Sequence, residues 1–225
     1  MSDAELLWQA LGVSLRVAAS ATLLAAGPAL ALGWLLARRE FRGKTLVETL
    51  VALPLVLPPT AVGYLLLRAF GRGGPLAREV LGFDPDVLLS FRGAVLAAAV
   101  MSLPLIARAA RAAFEGVPAR LETMARTLGW SRSRVFLGLT VPLARAGLSA
   151  ALVLGFGRAL GEFGATIVVA GNLPGRTQTL SLAIFDAIQV GAGERALAAI
   201  ALSGALAFAL VAAVELLERR ARRSA

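Results

Sequence analysis

The sequence predicts an all-α membrane protein, a polytopic helical bundle, and three observations support this prediction. Of the 225 residues, 58% are hydrophobic and only 16% are charged, and the mean hydropathy is +0.76. Soluble domains of this size carry more charge. Apolar runs recur along the chain, and basic residues collect between them. We therefore expect residues 1–225 to form a single transmembrane domain.

The residue types that are absent exclude several functions. The chain contains no His and no Cys, which excludes disulfides, thiolate catalysis, imidazole metal sites and imidazole acid–base catalysis. The net charge of +9 is spread around apolar runs with few aromatic residues, a distribution that indicates membrane topology rather than nucleic-acid binding. No phosphate-binding GxxxxGK[ST] motif occurs, so we expect no ATP hydrolysis by this chain alone. We expect a protein that is not an enzyme and holds no cofactor or metal.

Five apolar runs are long enough to cross a bilayer, since about 20 apolar residues in a helix span about 30 Å of hydrocarbon. They lie at residues 15–37, 45–70, 93–114, 135–160 and 196–217. The second run contains Pro54, Pro58 and Pro59. Because proline removes a backbone donor and clashes with the preceding turn, we expect a break there that faces protein or a water-filled path.

Residues 162–194 contain two shorter apolar pieces separated by the turn signal NLPG. Neither piece is long enough to cross comfortably, so we expect a re-entrant or partly embedded helical pair. If both pieces did cross, the topology would change.

Charge predicts the orientation of the chain. Basic residues cluster at 38–44, 115–134 and 219–223, whereas the N-terminal segment holds Asp3 and Glu5 and no basic residue. Because basic loops stay in the cytoplasm, we expect the N-terminus outside and the C-terminus inside. The mixed-charge loop containing Asp84 is expected outside.

The loop at residues 115–134 predicts a short amphipathic helix. Pro118 suits an early helical position, and Gly129 can end the helix. Leu121, Met124, Ala125 and Leu128 recur at helical spacing and predict one apolar face. That face suits either a groove of a soluble partner or the headgroup region of the bilayer, and the residues alone leave both open.

This loop resembles the loop of ABC importer permeases that docks on the ATPase subunit. The family pattern is Glu-Ala-Ala, three residues, Gly, about nine more, then an apolar residue, any residue and Leu-Pro. The chain offers Thr123-Met124-Ala125, then Gly129, then Leu139-Thr140-Val141-Pro142. Thr123 replaces the family's Glu, although Glu122 is adjacent, and Met124 and Val141 also depart from the pattern.

Five further segments resemble the molybdate permeases of this family in order and over most of the chain: LPLVLPPTAVGYLLL, FRGAVLAAAVMSLPL, LETMARTLGWSRSRVF, LGEFGATI and NLPGRTQTLSLAIF. The resemblance implies a multi-pass subunit of the bacterial inner membrane that pairs as a homodimer. It also implies an ABC ATPase partner and a periplasmic or lipid-anchored oxyanion-binding protein. The residues it assigns to ATPase coupling are Leu121, Glu122, Thr123, Met124, Ala125, Leu128 and Gly129. Tungstate and sulfate are the alternative substrates.

Two groups of residues are candidates for the translocation pathway. Pro58, Pro59, Thr60 and Gly63 surround the predicted break, where a broken helix can aim backbone amides at an anion. Arg158 and Glu162 are four residues apart and can pair on one helix face. Intramembrane charges are costly and often line pathways, so this pair is either a structural or gating element or, through Arg158, a contact for the oxyanion.

A stand-alone ion-coupled transporter is a competing hypothesis. It would be expected to show internal repeats or several buried acidic residues, and neither is evident in the sequence. Co-purification with an ATPase separates the two hypotheses.

Overall fold

The computed structural model describes residues 2–71, 74–75 and 87–223, with side chains up to residue 216. All regular elements in these ranges are helical. They are α1 (Asp3–Arg38), α2 (Lys44–Val56), α3 (Pro59–Phe70), α4 (Phe91–Glu115), α5 (Ala119–Thr127), α6 (Arg132–Val135), a π-helical turn (Phe136–Thr140), α7 (Val141–Leu160), α8 (Gly164–Ala170), α9 (Leu180–Gln189) and α10 (Gly193–Arg223). Asp84, with the loop around it, lies outside the described residues.

Four helices in the described ranges are long and apolar enough to cross a membrane. They are Asp3–Arg38, Phe91–Glu115, Arg132–Leu160 and Gly193–Leu216. These helices contain the first, third, fourth and fifth predicted spans. The fold is therefore the expected all-α membrane bundle.

The second predicted span is two helices, α2 and α3, whose axes differ by 112°. Helix α2 ends at Val56, Pro58 precedes α3, and Pro59 is the first residue of α3. Neither proline can donate a backbone hydrogen bond to the preceding turn. Pro59 also disfavours a helical conformation at Pro58, whose ψ is 130°, so the helix ends before this pair. Pro54, by contrast, lies inside α2. The break that the prolines predicted is confirmed.

The centre of the bundle is formed by α1, α4 and α7, which pack through small residues. Ala18, Ala21 and Ala25 of α1 and Ala94, Ala98 and Ala107 of α4 are buried in one cluster. A Cβ atom on Gly33 would lie 2.9 Å from the carbonyl oxygen of Ala107. Small side chains allow close backbone approach, which is how membrane helices gain contact area without a hydrophobic driving force.

Residues 162–194 form two short helices, α8 and α9, joined by a turn at the NLPG signal. At 1.5 Å per residue, neither their 7 nor their 10 residues can cross a bilayer. Helix α8 lies against α3 and α4, and the backbone N–H of Leu89 donates to the carbonyl of Val169 (3.0 Å). The backbone N–H of Leu180, at the start of α9, donates to Ser14 Oγ (2.7 Å). The expected short helical pair is thus present.

Polar contacts show which helix ends share a side of the bundle. Arg38 donates to the carbonyl of Val117 (2.9 Å), which places the end of α1 beside the end of α4 and the start of α5. On the opposite side, Arg195 pairs with Asp3 (3.6 Å) and Asp186 (3.2 Å), which joins the starts of α1 and α10 to α9. We call these two sides the α5 end and the Asp3 end.

Candidate docking helix and membrane pathway

Helix α5 is the short helix that the loop sequence predicted. It begins after Pro118 and ends at Thr127, and Gly129 adopts a left-handed conformation with φ of 85°. The backbone N–H of Trp130 donates to the carbonyl of Ala125 (3.1 Å), which closes the helix end. Glycine suits this position because a Cβ atom strains a left-handed backbone. The predicted glycine stop is therefore confirmed.

The four apolar residues of this segment recur at helical spacing along α5 and its C-terminal cap, and the structure covers them unequally. Ala125 is buried against the bundle and Leu121 is half-buried. Met124 is 53% exposed and Leu128 is 79% exposed. We call Met124 and Leu128 the exposed pair. The helix therefore attaches to the bundle through Ala125 and Leu121 and leaves the exposed pair uncovered. The spacing of the four residues could not show this difference in exposure.

Glu122 faces the bundle and holds α5 in place. Its carboxylate accepts from Arg38 Nε (3.1 Å), from Arg38 Nη2 (2.9 Å) and from Thr140 Oγ1 (2.8 Å). Thr123, which stands where the family has Glu, is exposed and donates to the carbonyl of Ala119 (3.2 Å). The sequence placed Glu122 in the coupling loop but gave no sign of its partners, which are 84 and 18 residues away.

Thr140 lies in the π-helical turn between α6 and α7. Val141 and Pro142 follow as the first residues of α7. Because the helix is continuous from Arg132 to Leu160, Pro142 lies inside it and cannot donate a backbone hydrogen bond to the preceding turn. The π-helical turn was not predicted, since no local residue pattern announces it. Such turns are often found at functional sites.

The two groups of pathway candidates meet in the structure. A Cβ atom on Gly164, the first residue of α8, would lie 2.8 Å from Pro59 Cβ and 3.4 Å from the backbone nitrogen of Thr60. The starts of α3 and α8 are therefore adjacent, although about a hundred residues separate them in the chain. Pro58, Pro59 and Thr60 are exposed in the single chain. The break between α2 and α3 therefore lies beside a second break in the chain, between α7 and α8.

Arg158 and Glu162 form an ion pair at the second break, with 2.7 Å between Arg158 Nη1 and Glu162 Oε2. The Glu162 side chain is 2% exposed and that of Arg158 is 27% exposed. Glu162 Oε1 also accepts from the backbone N–H of Ala165 (2.9 Å), so the carboxylate caps the start of α8. A buried carboxylate needs such partners. The spacing predicted the pair, whereas the cap depends on a chain reversal that the spacing does not show.

Gly63 allows α3 and α8 to pack closely. A Cβ atom there would lie 2.8 Å from the carbonyl oxygen and 2.9 Å from the Cα of Ala165. We expect Gly63→Val to force the two helices apart and to lower the stability of the detergent-solubilised protein by about 1–3 kcal/mol, measured by thermal denaturation.

The matched control is Gly27→Val in α1, because a Cβ atom on Gly27 would have no neighbour within 4 Å. Equal melting temperatures for the two variants would contradict the close packing of α3 on α8.

The described residues offer no group of three or more Asp or Glu side chains close enough to hold a metal ion. What the arrangement provides is an exposed apolar pair on a short helix at one end of the bundle, and a junction of two broken helices within it. Broken helices at membrane depth commonly line the substrate path of transport proteins.

Most of the chain matches a family of transport proteins. The chain belongs to the family of binding-protein-dependent transport system inner membrane components, which matches residues 29–223. It is therefore a multi-pass inner-membrane transport subunit and not an enzyme, as the sequence predicted.

Individual members of this family show different degrees of similarity to the chain. The chain is 48% identical to the molybdenum transport system permease protein ModB of Escherichia coli (strain K12) over 188 residues, covering 83% of this chain and 82% of the relative. It is 46% identical to ModB of Haemophilus influenzae, covering 82% and 81%. The sulfate transport system permease protein CysT of Salmonella typhimurium is 35% identical and covers 71% of this chain and 58% of the relative.

The fold has a counterpart among solved structures. A chain of the inward-facing MetNI methionine ABC transporter superposes with a TM-score of 0.74 and covers 98% of this chain and 99% of that one, at 19% sequence identity. The likeness confirms the ABC-permease type of bundle and extends to the fold alone.

Proposed function

We propose that this chain is the permease subunit of an ABC importer for molybdate. The observation that carries the proposal is the 48% identity to a molybdenum transport permease over most of both chains. Sulfate is the weaker alternative, because the sulfate permease CysT is less similar and is matched over a smaller share of its length. Tungstate is an alternative that sequence similarity does not separate from molybdate.

In this proposal an ATPase subunit docks on α5 at the exposed pair. The support is the apolar surface of Met124 and Leu128 on a helix outside the membrane spans. Soluble partners can bind the apolar face of a helix in a groove. Such a groove on the ATPase would bury both Met124 and Leu128. A substrate-binding protein delivers the oxyanion at the opposite side, the Asp3 end.

Two copies of the chain form one pathway, with α2 and α3 toward the partner copy. The support is that α2 is apolar yet has no buried residue in the single chain, and that Val56 and Tyr64 are exposed beside the break. A second copy would cover this surface and enclose the junction of α3 and α8. The pathway residues in this proposal are Pro58, Pro59, Thr60, Gly63, Arg158 and Glu162.

We place the α5 end in the cytoplasm and the Asp3 end outside. The support is that the basic segments 38–44 and 115–134 lie together at the α5 end, whereas Asp3 and Glu5 lie at the other. A membrane potential and anionic lipid favour this arrangement. The C-terminal tail follows α10 toward the α5 end.

Because the chain has no native Cys, single cysteines test this orientation directly. We expect Glu5→Cys to react with a membrane-impermeant maleimide on intact cells, and Arg42→Cys to react only after the cells are permeabilised. Labelling of Arg42→Cys from outside would overturn the orientation. Denatured protein labelled at both positions serves as the control for reactivity.

The substrate is tested with the complete transporter in vesicles, including the ATPase and the binding protein. We expect ATP-dependent uptake of radiolabelled molybdate that excess tungstate reduces and excess sulfate does not. Uptake that needs no ATPase would favour the stand-alone ion-coupled transporter instead. Uptake of sulfate in preference to molybdate would replace the proposed substrate.

A further inference from the structure

The carboxylate of Glu122 joins three separate parts of the chain. It is paired with Arg38 at the end of α1 (2.9 Å) and accepts from Thr140 in the π-helical turn (2.8 Å). Arg38 in turn donates to the carbonyl of Val117, just before α5 (2.9 Å). Glu122 itself belongs to α5. One side chain therefore connects the docking helix to two membrane helices.

These contacts are shielded from water. The side chains of Arg38 and Glu122 are 14% and 16% exposed. Charge-assisted hydrogen bonds are about twice as strong as neutral ones, and a partly buried setting weakens their competition with solvent. The neighbouring ion pairs are more exposed: the side chains of Arg111 and Glu48 are 33% and 34% exposed, and that of Glu40 is 88% exposed. The Glu122 contacts are the better shielded polar attachment of the docking helix.

The apolar attachment of α5 is small by comparison. Among the nine residues of this helix, all of which are described, Ala125 is the one that is buried. A helix held by one small side chain and a few half-buried contacts can rock on the bundle unless a polar contact fixes its angle. Glu122, one turn before Ala125, fixes that angle relative to α1 and α7.

The hydrogen bond between Thr140 and Glu122 connects the docking helix to the membrane helix α7. Thr140 ends the π-helical turn, and α7 continues from Val141 to Leu160 without interruption. At the far end of α7 lies the Arg158–Glu162 pair, at the break before α8. A displacement of Glu122 would therefore move Thr140 and with it the start of α7. The far end of α7 lies at the proposed pathway. π-Helical turns of this kind are frequent at functional sites.

We propose that Glu122 is a positioning residue for energy coupling: it fixes the docking helix to α1 and α7, so that movement of the ATPase shifts α7 rather than only rocking α5. The proposal rests on the proposed function, since it needs an ATPase on α5. In this proposal the exposed pair binds the ATPase. Glu122 transmits the movement of the ATPase to α7.

The test is the ratio of molybdate transported to ATP hydrolysed in vesicles with the complete transporter. Glu122→Gln keeps the size of the side chain and removes its charge. We expect the ATPase to stay bound and active, while molybdate transported per ATP falls by about tenfold, within the usual range for coupling between sites. Arg38→Gln should give the same loss, and the double variant should be no worse than either single one.

Glu40→Gln is the matched control, because it removes an exposed carboxylate at the same end of the bundle, and its ratio should equal that of the unsubstituted protein. Thr140→Val removes the hydroxyl, which donates to Glu122 (2.8 Å) and more weakly to the carbonyl of Val135 (3.4 Å). It provides a second variant should Glu122→Gln fold poorly, and its ratio should also fall. An unchanged ratio in a folded Glu122 or Thr140 variant would overturn the proposal. Failure of the unsubstituted transporter to couple uptake to ATP would instead reject the proposed function.

Discussion

Replacement of both Met124 and Leu128 with aspartate is expected to abolish association with the ATPase and, with it, ATP-driven uptake. Both side chains are largely exposed in the single chain, so the substitutions should leave the bundle folded. In the complex they would place two unpaired charges in an apolar groove, which is costly. Loss of central apolar anchors typically costs about 2 kcal/mol or more each, so we expect affinity to fall by at least about a hundredfold.

The measurement is co-purification of the ATPase with the permease, followed by an affinity titration in detergent. Ala119→Asp is the matched control: it adds a negative charge in the first turn of the same helix, where the helix dipole favours it. That variant should bind the ATPase normally. Normal binding by the double aspartate variant would contradict docking through the exposed pair and would favour the alternative, in which α5 lies on lipid headgroups.

Glu162→Ala is expected to cause the largest loss of stability of any single substitution considered. It leaves Arg158 without its 2.7 Å partner and the backbone N–H of Ala165 without its acceptor. Removal of one member of a buried pair typically costs about 3–5 kcal/mol. The expected readout is a marked fall in the thermal denaturation temperature in detergent.

Two further variants distinguish a structural role of the Arg158–Glu162 pair from a role in transport. Glu162→Gln keeps an acceptor for Ala165 and should lose less stability than Glu162→Ala. The double variant Arg158→Gln/Glu162→Gln removes both charges and should recover much of the stability. If the pair is structural, the double variant transports molybdate at close to the normal rate. A folded double variant with no transport would instead assign the pair a role in transport, as a gate or, through Arg158, as a contact for the oxyanion.

Several features of the fold were predictable because their causes are local. Hydropathy over a window of about 20 residues identifies a crossing helix, and four of the predicted spans lie within single helices of the structure. Pro58 and Pro59 predicted a break because proline lacks a donor wherever it stands. Gly129 predicted the end of α5 for a similarly local reason.

Other features were not predictable because they depend on which helices become neighbours. An apolar face on a helix outside the membrane spans can pack on the bundle or bind a partner, so the spacing of Leu121, Met124, Ala125 and Leu128 could not show which of them faces the bundle. Nor could it show that α5 would be attached through Glu122.

The sequence by itself therefore determined the class of protein, the position of four membrane helices, the break at Pro58 and Pro59 and the segregation of charge, since these follow from local residue patterns. Only the tertiary structure decided that Arg38 meets Glu122 across 84 residues, that α3 and α8 start side by side, and that Glu162 caps α8. These contacts depend on which distant segments the folded bundle brings together, and that packing depends on shape rather than on hydropathy.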